Sequence, residues 1–232
     1  MERYSIIDSK NPREILLLRG SGCVWRRCRF CDYHLDSCKD DAANYALNSA
    51  EINKVTGKYG VLEIVNSGSF VDLDDQTMNL IIETCKQKNI KQIHFESHWM
   101  HRNNIAELRD KFKQIGVDVK MKIGVETFDY LFRESYLMKG IDTDNVLEIA
   151  KYFNEVCLLF GIPGQTYESM INDIETGLAN FDRVCINIMQ NNSMPIKMDN
   201  RVIKIFRDKI YDKYIDNDRV DILMNNTDFG IG

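Results

Sequence analysis

The stretch Val61-Leu62-Glu63-Ile64-Val65-Asn66-Ser67-Gly68-Ser69-Phe70, with the amphipathic segment that follows at 74–88, decides the fold. Its first five residues are almost wholly apolar, as expected of a parallel strand covered on both faces. The next four are small and polar and read as a turn. Asp74 and Asp75 then open a helix, where carboxylates cap exposed N–H groups and meet the positive end of the helix dipole. Strand, polar glycine-containing tip and helix make one βα unit.

The same unit recurs on both sides. Further strands are expected at 14–18, 91–96, 117–125, 155–160, 183–189 and 220–224. Helices are expected at 41–55, 103–114, 129–138, 143–154, 167–178 and 200–214. Strand and helix alternate about six times, which predicts an α/β fold: a partial (βα)6-type TIM barrel in a single domain over 1–232. A doubly wound open sheet is the alternative, because pairing order is invisible in the sequence. In a barrel, ligands bind at the carboxyl ends of the strands. The residues to inspect are therefore 20–36 after the first strand, Asn66–Phe70 after the second and Glu96-Ser97-His98-Trp99 after the third. Glu126-Thr127, Gly161-Ile162-Pro163-Gly164 and Gln190-Asn191-Asn192-Ser193 complete the series.

Bulk composition narrows the class. The chain has 232 residues, 44% of them hydrophobic, enough for one sizeable core. Lys and Arg number 30 against 35 Asp and Glu, a net charge of −5; this counts against direct nucleic-acid binding, which normally needs a basic excess. The polar opening, Met1 to Arg13, has no signal-peptide layout, and the longest apolar run, Val156 to Ile162, is too short for a bilayer. Seven cysteines, three of them clustered, do not suggest a secreted disulfide framework. A reducing cytoplasm is the expected location.

The clustered thiols lie in Gly20-Ser21-Gly22-Cys23-Val24-Trp25-Arg26-Arg27-Cys28-Arg29-Phe30-Cys31-Asp32-Tyr33-His34-Leu35-Asp36. Cys23, Cys28 and Cys31 can converge on one inorganic centre. Three thiols suggest an iron–sulfur cluster with one iron open; a structural zinc site would need a fourth ligand, which His34 or Cys38 could supply. On that second reading the chain is a non-catalytic, zinc-stabilised binding module.

Taken with the strand-end turns, the cysteine run resembles the radical S-adenosylmethionine superfamily. Its spacing exceeds the common Cys-x3-Cys-x2-Cys by one residue. Phe30 before the last cysteine, Asn66–Ser69, Gly161–Thr166, and Ile123–Thr127 followed by Met138–Ile141 are similar to that family's cofactor-binding segments. Asn66–Phe70 with Asp72 close behind, and Cys28-Arg29-Phe30-Cys31-Asp32-Tyr33, further resemble radical enzymes acting on 7-deazaguanine derivatives, a group that includes the queuine lyases of queuosine salvage.

The resemblance implies a [4Fe–4S] cluster on Cys23, Cys28 and Cys31, with S-adenosylmethionine on its open iron. It implies that Ser67, Gly68 and Ser69 meet the methionine end, and that Glu96 and Glu126 meet the ribose or amino group. Lys139 or Arg133 would take the carboxylate, and Phe30 and Ile162 would line the adenine. It also implies an external electron donor such as flavodoxin or ferredoxin, drawn by Arg26, Arg27 and Arg29. The implied substrate is a small 7-deazaguanine base, with queuine cleaved to 7-aminomethyl-7-deazaguanine; another small metabolite or a tRNA-bound base is the alternative. A guanine-like edge calls for carboxylate or amide acceptors. By position these are Asp32, Asp36, Asn187, Gln190, Asn192, Asn225 and Asp228, with Tyr33, His34, His98 or Trp99 to stack. The tail, 219–232, is placed to close the barrel mouth.

Overall fold

The computed structural model describes residues 1–232. The chain runs β1 (Tyr4–Ile7), β2 (Arg13–Leu18), α1 (Asp41–Ile52), β3 (Val61–Asn66), α2 (Asp75–Gln87), β4 (Gln92–Glu96), α3 (Ile105–Lys113) and β5 (Asp118–Glu126). It continues with α4 (Val146–Ala150), β6 (Glu155–Phe160), α5 (Tyr167–Asn180), β7 (Arg183–Ile188), α6 (Asn200–Lys209), α7 (Tyr211–Tyr214) and β8 (Val220–Leu223). The strands pair in sequence order, β1 to β8. The pairs β2/β3, β3/β4, β5/β6, β6/β7 and β7/β8 are parallel. A doubly wound sheet reverses its order at a switch point; an unreversed order of parallel strands is that of a βα barrel, left incomplete because it begins at β1 and ends at β8.

The strand at the start was not expected. β1 runs antiparallel to β2, Tyr4 opposite Leu16 and Ile7 opposite Arg13. Its four residues sit between charged neighbours, which masks a Tyr-Ser-Ile-Ile run of good strand formers. Three expected helices are also altered. Segment 143–154 contains only the short α4, capped by the Asn145 side chain on the Leu147 N–H at 3.0 Å. Segment 129–138 carries a π-helical stretch at Phe132–Tyr136. Segment 200–214 breaks at Ile210 into α6 and α7. The expected cap of α2 is present, with Asp74 accepting from the Thr77 N–H at 2.7 Å.

The chain divides into two compact units: Met1–Val24 with Tyr33–Met121 and Phe229–Gly232, and Trp25–Asp32 with Lys122–Asp228. In the first, Ile15, Leu16 and Leu18 of β2, Leu62 and Ile64 of β3 and Phe95 of β4 are fully buried. Phe95 meets Phe70 and Phe112 edge-on, with centroids 6.4 and 5.5 Å apart. In the second, Val156, Leu158 and Phe160 of β6, Val184 and Ile186 of β7 and Ile174 of α5 are likewise fully buried.

Buried charges collect at the amino ends of the strands, away from the loops that could hold a ligand. In the first unit Arg13 pairs with Glu63, both side chains 1% exposed. Glu14 accepts from the Tyr4 hydroxyl and from the Thr56 and Gly57 N–H groups, each at 2.7 Å. Burial and that carboxylate push the Tyr4 phenol up to about 12. In the second unit Arg183 bridges Glu155 at 3.0 Å and Asp221 at 3.1 Å. Paired charges at this end serve the fold.

Candidate active site

The first unit shapes the turn after β3. Ser69 and Asp72 cap each other: the Ser69 N–H donates to Asp72 Oδ2 at 2.7 Å and the Asp72 N–H to the Ser69 carbonyl at 2.8 Å. The Asn66 amide donates to the Ser69 carbonyl at 3.0 Å, and the Ser69 hydroxyl accepts the His98 N–H at 2.9 Å. The Cys23 N–H reaches the Ser67 carbonyl at 3.3 Å, and the Ser21 N–H the Asp72 carbonyl at 2.8 Å. The start of the cysteine loop is thus stitched to this turn. Any Cβ at Gly68 would collide with the Asp72 carboxylate and stand 2.9 Å from the Cys23 nitrogen, so only glycine lets the two backbones approach.

Asp36 stands beside the same turn. Its Oδ2 accepts from the Ser67 hydroxyl at 3.4 Å, and its Oδ1 pairs with Arg3 at 2.6 Å. Arg3 also donates to the Leu17 carbonyl at 3.2 Å. No sequence signal marked Arg3, because the strand that begins just after it was hidden. His98 uses Nδ1 to cap the turn Trp99–Asn104, accepting from the Met100 N–H at 3.2 Å. Trp99 is buried beneath the Arg102 guanidinium, 4.4 Å from its ring centroid. Tyr33 and His34 form a short 3-10 turn, with Tyr33 57% exposed. Glu96 is half-buried at the end of β4.

The second unit holds the other half of the loop. Asn192 donates to the Phe30 carbonyl at 2.7 Å, the Ser193 hydroxyl donates to Asp32 at 3.2 Å, and the Ile196 N–H reaches the Arg29 carbonyl at 3.1 Å. Two expected substrate residues, Asn192 and Asp32, therefore join the cysteine loop to the segment after β7. Phe30 packs with Leu137, Leu159, Ile162, Met189 and Ile196, and Cys28 and Cys31 lie against this cluster. Gln165 locks the turn after β6, accepting from the Ile162 N–H at 3.0 Å and donating to the Leu159 carbonyl at 2.9 Å.

Glu126 ends β5 in the left-handed region, φ 70°, after a register shift between Gly124 and Glu126. Such a conformation costs energy in a residue other than glycine and concentrates at functional sites. Its carboxylate meets the Lys139 ammonium at 2.6 Å, and that ammonium lies 5.6 Å from the Phe30 ring centroid. Burial opposes the charge on Lys139, but Glu126, Cys28 and Cys31 outweigh it and raise its pKa.

Arg133 is buried within its own segment, donating to Glu134 at 2.8 Å and to the Ile141 and Thr143 carbonyls. Glu134 in turn accepts from the Gly140 and Ile141 N–H groups at 2.7 and 3.1 Å. This pair builds the loop that carries Lys139. Trp25 covers the loop from outside, with Nε1 donating to the Met138 carbonyl at 2.8 Å.

The remaining candidates separate. Asn187 is half-buried in β7, and Gln190 donates to the Met224 carbonyl at 2.9 Å. Asn225 and Asp228 bond each other in an exposed turn. Phe229 lies over Arg13, the first residue of β2, and Gly232 exchanges backbone hydrogen bonds with Glu2 at 2.9 and 3.3 Å.

No disulfide joins any of the seven cysteines. No three His, Cys, Asp or Glu side chains stand assembled as a metal site. The fit to an iron–sulfur cluster therefore rests on donor chemistry: Cys28 and Cys31 flank Phe30 and lie against its apolar cluster, with the Lys139 ammonium 5.6 Å from that ring.

No protein-family model matches the chain. A solved structure of queuine lyase from Clostridium spiroforme bound to SAM and queuine is similar over 100% of this chain and 99% of that one, with a TM-score of 0.95 and 43% sequence identity. The chain belongs to the queuine lyase family. An uncharacterized protein of Methanocaldococcus jannaschii is 26% identical over 159 residues, 60% of this chain and 43% of that protein. The chain thus matches less than half the length of this archaeal relative. Membership of the queuine lyase family makes this a radical S-adenosylmethionine enzyme on a partial βα barrel. No helix is long and apolar enough to cross a membrane.

Proposed function

We propose that the chain is a queuine lyase that cleaves queuine to 7-aminomethyl-7-deazaguanine. The observation that carries this reading is the full-length likeness, at 43% identity, to the queuine lyase solved with SAM and queuine. Cys23, Cys28 and Cys31 would hold a [4Fe–4S] cluster. When bound, cluster and S-adenosylmethionine supply a 5′-deoxyadenosyl radical after one-electron reduction.

The chain's own residues do the positioning. The turn Ser67–Ser69, held by Asp72, presents polar groups to the methionine end of S-adenosylmethionine. Phe30 and Ile162, in one dry cluster, offer a face for the adenine. Glu126 and Lys139 offer opposite charges to its polar groups. The same apolar wall excludes water and stray C–H partners from a reactive carbon centre. Asp36, tied to Arg3 and Ser67, offers the deazaguanine edge a fixed acceptor. Arg26 and Arg27 are exposed on the cysteine loop and suit an acidic electron donor such as flavodoxin or ferredoxin.

Anaerobic incubation with dithionite, S-adenosylmethionine and queuine tests the proposal. Both 5′-deoxyadenosine and 7-aminomethyl-7-deazaguanine should accumulate, and Cys→Ala at position 23, 28 or 31 should abolish both. Formation of 5′-deoxyadenosine at the same rate with and without queuine, and no aminomethyl product, would refute the substrate.

A further inference from the structure

We propose that the Lys139 ammonium tunes the reduction potential of the iron–sulfur cluster, with Glu126 as the counter-charge that moderates it. The inference rests on the reading above that Cys28 and Cys31 are cluster ligands. The two cysteine side chains and the Glu126–Lys139 pair gather about the Phe30 ring. Lys139 and Glu126 are in contact at 2.6 Å with side chains 13% and 9% exposed. Cys28 and Cys31 pack against the apolar cluster around Phe30, and the ammonium lies 5.6 Å from that ring's centroid. Around them stand Phe30, Leu137, Leu159 and Ile162, each at most 8% exposed. In such a dry setting a single charge acts strongly on its neighbours.

The position of the ammonium is built in rather than incidental. Arg133 and Glu134 hold the loop from below through the Ile141 carbonyl and the Gly140 and Ile141 N–H groups. The Lys139 N–H itself reaches the Arg133 carbonyl at 3.2 Å. Met138, on one side, and Gly140, on the other, both take left-handed conformations, with φ 57° and 78°. Trp25 presses onto Gly140 so closely that a Cβ there would overlap its ring. A lysine needed only to pair with a glutamate would not require this support.

The sign follows from charge. Reduction adds one electron to the cluster from a low-potential one-electron donor; no bond forms and no proton moves. The cluster with its thiolates becomes more negative, so a nearby cation favours the reduced form and a nearby carboxylate opposes it. Net charge and solvent exposure are among the levers that set iron–sulfur potentials. Lys139 therefore eases reduction, and Glu126 limits the effect.

The test is an anaerobic dithionite titration of the reconstituted enzyme without S-adenosylmethionine, followed by electron paramagnetic resonance. Lys139→Met should make reduction about tenfold less favourable, equivalent to about 59 mV for a one-electron couple. Lys139→Arg should restore the original midpoint, and Glu126→Gln should move it in the opposite direction. If Lys139→Met takes up no iron, Glu126→Gln decides alone. A midpoint unchanged in both would overturn the proposal even if both variants bind S-adenosylmethionine weakly. So would a fall that Lys139→Arg fails to restore, because charge and not shape is at issue. A reconstituted wild-type protein with no cluster at all would instead remove the reading on which the inference stands.

Discussion

Asp173 offers the most direct check on the energetics of the strand-end loops. It sits on α5, is 2% exposed, and accepts the Phe128 N–H at 2.7 Å just past Glu126. Burial pushes its carboxyl up to about 6 from the usual 3.8; the Phe128 and Thr127 hydrogen bonds only partly offset this, and Asp129 and Arg133 act in opposite senses. The native state thus holds the proton more tightly than the unfolded chain. Its stabilising effect is fully present below about pH 3.8 and is lost as pH rises through about 6. At 1.36 kcal/mol per unit the whole window amounts to ~3 kcal/mol. About 1.4 kcal/mol of it falls between about pH 5 and about pH 7.5. Asp173→Asn keeps an oxygen for the Phe128 N–H but cannot ionise. Anaerobic urea unfolding of both proteins across that range should show the variant gaining on the wild type by about 1.4 kcal/mol as pH rises. A stability difference that stays flat with pH would refute the reasoning.

Gly140→Ala should destabilise the enzyme by about 1–3 kcal/mol, read from the urea midpoint, because the alanine must adopt positive φ and displace Trp25 at once. Cys85 is buried, and burial pushes its thiol up to about 12. It should resist iodoacetamide in the folded protein and react only on unfolding, as peptide mass mapping would show.

Much of the barrel was legible because its strands are continuous apolar runs and its tips polar. Arg183–Ile188 and Glu155–Phe160 needed little else. What escaped was set by partners far along the chain. The edge strand Tyr4–Ile7 exists because β2 offers it a ladder, and it brings Arg3 to Asp36. The π-helical stretch at Phe132–Tyr136 and the broken helix at Ile210 answer to local packing and not to periodicity. In the site, position at a strand end pointed to Glu126 and Ser67, and the cysteine run pointed to Phe30. Position alone names no hydrogen-bond partner, so the bonds that Asn192 and Asp32 make between loops were not legible. Trp25 lay inside the cysteine run without a role, since its partner Gly140 is more than a hundred positions away.

The register shift in β5 carries a consequence for anyone altering this barrel. Side chains on a strand alternate between two faces, so parity along the chain tells which side each residue takes. Between Gly124 and Glu126 that count slips by one against β6, with Cys157 opposite Gly124 and Leu158 opposite Glu126. Removing a single residue there would restore regular pairing. The mended strand would then present Glu126 to the wrong side, so the irregular ladder is what aims the carboxylate at Lys139.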